Sequence, residues 1–201
     1  MLPKIESYIS DLEFATIKSE RKQELFKLID YIQQRKNEDT HINLNFICTH
    51  NSRRSHLCQV WAKTASYFYN IKKVHCYSGG TEETAVYPMI IKTLQSVGFD
   101  IYKLDQDINP TYKLNFTEEK CPLTLFSKLY NNKINPSSNF ASVMTCNNAD
   151  KNCPLIPNSI RISVKYHDPK AFDNSPIQAE KYEERSNQIA TEMFYVFSQI
   201  I

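Results

Sequence analysis

The run Ile42-Asn-Leu-Asn-Phe-Ile-Cys48 alternates as a strand does, and it is followed at once by a polar turn and an amphipathic stretch from Ser55 through Trp61 to Phe68. Strand, tight loop and helix in that order confine the chain to folds in which a strand hands its last residue to the start of a helix. That last residue is a cysteine, and the loop reads Cys48-Thr-His-Asn-Ser-Arg-Arg54-Ser55, a Cys-x5-Arg-Ser pattern. So short a loop turns its backbone N–H groups toward one point, and the helix N-terminus adds positive potential there. An anion suits it, held by Thr49, His50, Asn51, Ser52, Arg53 and Arg54. The same field favours thiolate over thiol, which makes Cys48 a candidate nucleophile. Arg54 offers a planar fork for two oxyanion oxygens, and Ser55 can donate a hydroxyl hydrogen bond to the sulfur. Free cysteine is also a common core residue; the flanking strand and helix favour chemistry.

Residues 1–38 read as helix, with Ile5, Ile9 and Leu12 at helical spacing and, after Ser19, Leu25, Phe26, Leu28, Ile29 and Ile32. They hold no candidate chemistry and read as a packing extension. Val74 to Tyr77 predicts a second strand before Ser78-Gly79-Gly80, and Pro88 opens a helix that Gly98 ends. Tyr112–Phe116 and Leu123–Phe126, separated by Thr117-Glu-Glu-Lys120, predict a hairpin, and 131–139 a loop. Phe140 to Thr145 predicts a buried strand delivering Cys146, and Ile160 to Tyr166 one delivering Asp168. Ser175 and Pro176, with Gln178 at the capping-box position, predict the start of a long helix whose apolar stripe is Ile189, Met193 and Phe197. Strands alternating with helices predict an α/β fold with a parallel sheet, whose ligand sites lie beyond the strand C-termini. Cys48, Cys146 and Asp168 all fall there.

At 201 residues and 41% hydrophobic content the chain suits one domain, 1–201, with a helical extension at 1–40, a core over 42–201 and an insertion at 112–139. Its net charge of +2 is spread without basic runs, which argues against nucleic acid. No stretch approaches eighteen apolar residues and the start lacks a signal-like apolar region, so neither a membrane nor export is expected and the cytoplasm is. Six cysteines, at 48, 58, 76, 121, 146 and 153, form no CxxC pair, so a metal site is not expected. At this length the core needs no disulfide framework, which leaves reactive thiol chemistry. His50, His56, His75 and His167 read as structural or exposed.

Phe46-Ile-Cys-Thr-His-Asn-Ser-Arg-Arg-Ser55 resembles the phosphate loop of low-molecular-weight tyrosine phosphatases and of thioredoxin-coupled arsenate reductases. Tyr77-Ser-Gly-Gly and the helix from Pro88 to Ile101 resemble the second strand and following helix of the reductases, and Cys146-Asn-Asn-Ala-Asp-Lys-Asn-Cys-Pro154 resembles their redox segment. The resemblance implies a four-stranded parallel sheet flanked by helices. It also implies a relay in which Cys48 attacks arsenate, Cys146 attacks Cys48, Cys153 attacks Cys146, and thioredoxin reduces the resulting disulfide, with no bound cofactor. Seven helical residues span about 10 Å, whereas a disulfide wants Cα atoms within about 7 Å, so the Cys146–Cys153 segment has to bend or unwind. Asp168 before Pro169 resembles the general acid of the phosphatases, which leaves open a phosphotyrosine phosphatase using Cys48, Arg54 and Asp168. A third reading, an oxyanion-binding or thiol-switch protein without turnover, is motivated by two departures: His50 stands where the family has Gly, and Arg53 where it has a second Cys. His50 would be pressed into a conformation that suits glycine, and Arg53 could add a second cation.

Overall fold

The computed structural model describes residues 1–119 and 122–201. In chain order the elements are α1 (Pro3–Ser10), a 3-10 turn at Phe14–Thr16, α2 (Ser19–Asn37), β1 (Ile42–Cys48), α3 (Arg54–Phe68), β2 (Val74–Gly80), α4 (Pro88–Val97), β3 (Asp100–Lys103), β4 (Tyr112–Asn115), β5 (Leu123–Leu125), β6 (Phe140–Met144), α5 (Asn147–Asn152), β7 (Ser159–Ser163), a 3-10 turn at Pro169–Phe172, and α6 (Gln178–Ser198). Four strands form a parallel sheet in the order β2-β1-β6-β7, flanked by helices. Consecutive parallel strands need crossovers, and the helices between them supply these. β1 lies inside the sheet, so Cys48 emerges at its centre, between the ends of β2 and β6.

Leu44 and Phe46 of β1, Trp61 of α3, Leu94 of α4 and Ile189, Met193 and Phe197 of α6 are fully buried in one apolar cluster. Trp61 anchors it: Tyr8 of α1 stacks on its ring at 5.3 Å, Phe99 and Phe194 meet it edge-on, and its Nε1 donates to Ser186 Oγ at 2.9 Å. The N-terminal helices insert Ile5, Leu25, Leu28 and Ile32 into that cluster, whereas Phe26 faces solvent.

Besides β7, which ends at Ser163 and not at Tyr166, three features differ from the sequence reading. β2 runs on through Ser78-Gly79-Gly80, because Gly79 and Gly80 keep pairing with Ile47 and Cys48. The hairpin of β4 and β5 is present but gains β3 as a third, antiparallel strand; its Lys120, and Cys121, lie outside the described residues. α6 begins at Gln178 with no side-chain cap. The Ser175 hydroxyl donates instead to the Phe172 carbonyl at 2.7 Å, and Gln178 Nε2 donates to Tyr87 Oη at 2.8 Å, so no capping box forms. Gly98 does end α4, with φ 115, as a left-handed C-cap needs. Among the described residues no helix is long and apolar enough to cross a membrane.

Candidate active site

The loop between β1 and α3 turns at one left-handed residue. That residue is Asn51, with φ 43, and not His50. Asparagine tolerates this region far better than most side chains, so the expected conflict at His50 is avoided. The His50 imidazole is turned outward, 3.3 Å from Glu82. The loop carbonyls are all taken by neighbours. Thr81 N–H donates to Cys48 O at 3.2 Å, Glu82 N–H to Thr49 O at 2.8 Å and Tyr87 N–H to Ser52 O at 3.1 Å. Ser127 Oγ donates to His50 O at 2.9 Å, and the His56 ring lies 2.8 Å from Asn51 O. By contrast, none of the amides of His50 through Arg54 donates to a protein acceptor among the described residues. Carbonyls out and amides unspent make a loop shaped for an anion.

Within the loop, Asn51 Nδ2 donates to Ser55 Oγ at 2.8 Å. That leaves the Ser55 hydroxyl hydrogen for Cys48 Sγ, 3.1 Å away. Cys48 is buried at the sheet end, and α3 starts at Arg54. Arg54 Nη1 donates to Tyr166 O at 3.1 Å, and its Nη2 makes a close ion pair with Asp168. Arg54 Nε is buried with no partner among the described residues, a donor left for a further acceptor. Asp168 comes to the loop because the chain after β7 continues beside β6, with Val164 N–H on Met144 O and Tyr166 N–H on Thr145 O. Its other oxygen accepts from Lys170 N–H at 3.0 Å.

Arg53 does not direct its charge into the loop. Nε donates to Tyr182 Oη at 2.6 Å, Nη2 to Asp173 Oδ2 at 2.5 Å, and the guanidinium lies 4.0 Å over the Tyr87 ring. The expected second cation is therefore a clamp between the loop and α6. Tyr182 Oη also donates to Asp173 Oδ1 at 2.5 Å, so Arg53→Ala leaves that pair joined but removes the cation from a largely buried carboxylate, and is expected to lower stability by about 2–4 kcal/mol. Urea denaturation measures this; an unchanged midpoint would contradict the clamp.

Cys146 and Cys153 flank α5, one at each end. Cys146 Sγ accepts from Ala149 N–H at 3.3 Å and lies 3.5 Å from Thr49 Oγ1, so the segment touches the oxyanion loop directly. Cys48, Cys146 and Cys153 share a separate buried cluster with Ile47, Met144 and Ala149, against which Tyr130 and Ile156 pack. All three are free thiols. Burial pushes the Cys153 thiol up, with Arg161 acting in the opposite sense.

Sequence reasoning missed Arg161. Its guanidinium donates to the carbonyls of Ala149 at 3.2 Å, Cys153 at 3.0 Å and Pro154 at 3.3 Å, and closely to that of Asp150, gathering the last carbonyls of α5. An arginine alternating with Ile160 and Ile162 in a strand beside a weak helix was the only available signal. The contact of the 112–139 segment with the loop was missed as well. Gly80 N–H donates to Lys128 O, Tyr130 N–H to Gly80 O, and Lys128 N–H to Asn51 Oδ1, each at 2.9 Å, so residues 127–130 run along the end of β2 and under the loop. The remaining described cysteines belong to the main apolar cluster: burial pushes the Cys76 thiol up to about 12, and burial, then Glu192, pushes Cys58 well up. His75 pairs with His41 at 2.9 Å on the surface, His56 is buried, and His167 lines a cleft of about 320 Å³ with Asp168, Phe172 and Arg185.

No family model matches the chain. An arsenate reductase of Staphylococcus aureus (strain Newman) is 32% identical over 117 residues, which is 58% of this chain and 69% of that protein. Arsenate reductase 2 of Staphylococcus epidermidis is 33% identical over 116 residues, again 58% and 69%. Among solved structures, an arsenate reductase in the phosphate binding state superposes with a TM-score of 0.53 at 16% identity, over 80% of this chain and 99% of that one. A low-molecular-weight phosphotyrosine phosphatase from Vibrio cholerae gives 0.51 at 12% identity, over 78% and 94%. With the Cys-x5-Arg loop, the central parallel sheet and these relatives in view, the chain belongs to the family of arsenate reductases, is a cysteine-dependent enzyme acting on oxyanions, and shares its fold with the low-molecular-weight phosphotyrosine phosphatase.

Proposed function

We propose that the chain is a thioredoxin-coupled arsenate reductase working through Cys48, Cys146 and Cys153, and that it acts in the cytoplasm, where dithiol reductants keep such thiols reduced. The observation that carries this reading is the burial of those three thiols in one cluster, with Cys146 against the loop residue Thr49. The loop amides and Arg54 hold arsenate. Cys48 sulfur attacks arsenic and hydroxide leaves as water, giving a thiol–arsenate adduct. Cys146 sulfur then attacks Cys48 sulfur; the sulfur–arsenic bond breaks, its electron pair stays on arsenic, and arsenite departs. Cys153 attacks Cys146, frees the Cys48 thiolate and leaves a Cys146–Cys153 disulfide, which a dithiol partner such as thioredoxin reduces. Two electrons pass from two thiols to one arsenic.

The test is arsenate-dependent NADPH oxidation with thioredoxin and its reductase present. Cys153→Ser is expected to lower steady-state turnover at least about a hundredfold while sparing hydrolysis of an aryl phosphate, since it removes only the last thiol transfer. Equal turnover in both proteins would refute the relay. The position of Asp168 at the loop, beside Arg54, favours a second reading, phosphomonoester hydrolysis with Asp168 protonating the leaving oxygen once substrate has taken over the guanidinium. Aryl phosphate hydrolysis without any arsenate-dependent oxidation would select it.

A further inference from the structure

Lys128 is the one lysine among the described residues that the fold buries, at 2% exposed. No carboxylate pairs with it among the described residues. Its Nζ donates to Ser78 Oγ at 3.3 Å and to Phe126 O at 3.4 Å, and sits 4.6 Å from the Phe126 ring. Burial lowers its ammonium to about 8, with exposed Glu83 acting the other way. Beside it His56 is fully buried, and burial, then the Lys128 charge, holds that ring down to about 3, so it is neutral.

The hydrogens of this group are fixed by chemistry. Asn51 O can only accept, so His56 Nε2 carries the ring hydrogen across their 2.8 Å contact. His56 Nδ1 is then an acceptor and takes the Ser78 hydroxyl hydrogen across 3.3 Å. Ser78 oxygen in turn accepts from Lys128. The chain therefore runs one way, from the ammonium through Ser78 and His56 to Asn51, the residue whose left-handed backbone turns the loop. The Lys128 backbone N–H grips the Asn51 side chain as well.

We infer that Lys128 is a positioning residue of the oxyanion loop: a buried cation, brought in by the insertion, that is wired to Asn51 and adds its charge to anion binding. The inference rests on the reading of that loop as an oxyanion site. It gives the insertion a purpose, since the segment that reaches under the loop also carries the charge. A buried ammonium without a carboxylate is costly, and what offsets the cost is a stronger field on the anion.

The probe is inorganic sulfate, which does not titrate in the range used, bound calorimetrically to the full chain in a Cys48→Ser background so that the thiol adds no charge. Besides His56, the titratable and charged groups facing this region are Glu83, the Glu82–His50 pair on the outer side, and Arg54 with Asp168 across the loop. Lys128 is a cation below its value of about 8 and neutral above it, so sulfate affinity is expected to be high near pH 7 and to fall through about pH 8–9. Adding Lys128→Met is expected to weaken sulfate roughly tenfold near pH 7 and to abolish the pH step. Ser78→Ala, which cuts the relay and keeps the charge, is expected to weaken binding about threefold with the step intact. Unchanged affinity in a folded Lys128→Met protein, or a step that survives it, overturns the inference. Should Lys128→Met not fold, absence of the step in the parent overturns it and a step retained in Ser78→Ala supports it. Failure of the parent to bind sulfate overturns the oxyanion reading itself, together with this one, whereas loss of arsenate turnover alone touches only the relay.

Discussion

Cys48→Ser is expected to abolish turnover of arsenate and of an aryl phosphate together, by at least about a thousandfold, and to leave the melting temperature within a few degrees of the parent. The two expectations have different physical origins. A loop whose amides of His50 to Arg54 are unspent stabilises an anion, and a sulfur becomes a nucleophilic anion far more readily than an oxygen. Packing, by contrast, hardly changes, because serine keeps the contact to Ser55 and loses only the larger atom. Single-turnover assays on both substrates, with a thermal melt, check the pair of outcomes. Hydrolysis that persisted in a folded Cys48→Ser protein would remove Cys48 as the nucleophile in both reactions.

Gly80→Ala is expected to cost about 3 kcal/mol and most of the oxyanion affinity at once. A Cβ on Gly80 would lie 2.7 Å from Asn51 N and 2.7 Å from Thr49 O, and against Glu82 O. These are backbone atoms, two of them in the loop, so the clash is relieved only by moving the anion site. Gly79→Ala makes a contrast: its Cβ would meet the backbone of Tyr130, at 2.9 Å from the nitrogen, and press on the insertion. It is expected to destabilise comparably while weakening the anion less. Urea denaturation and sulfate titration of the two variants separate these effects. Wild-type stability in Gly80→Ala would mean that β2 does not approach the loop as described.

The contrast between Cys48 and Arg53 shows which parts of the site were legible in the sequence. Strand, loop and helix around Cys48 are set by residues close in sequence, and so the meeting of Cys48, Arg54 and Ser55 at one loop was readable from spacing. Cys146 and Asp168 were readable as the ends of buried runs. What could not be read depends on partners far along the chain. Arg53 is spent on Asp173 and Tyr182, 120 and 129 residues away. The left-handed turn passes to Asn51 because Ser55, Lys128 and His56 hold that residue from three sides. The fate of Ser78-Gly79-Gly80 as strand, not turn, is decided by pairing with β1, which no local pattern encodes.

The grip of Arg161 on the carbonyls of α5 has an electrochemical consequence for the proposed relay. That helix is present with Cys146 and Cys153 as free thiols, and because the helical span between them exceeds the reach of a disulfide, joining them in the proposed relay is expected to disturb the helix and those hydrogen bonds. Whatever stabilises the dithiol form raises the midpoint potential of the couple, by about 30 mV for each 1.4 kcal/mol. In the proposed relay Arg161 is therefore expected to make the disulfide a readier electron acceptor, and to help the final exchange with a reducing dithiol run toward regeneration of the enzyme.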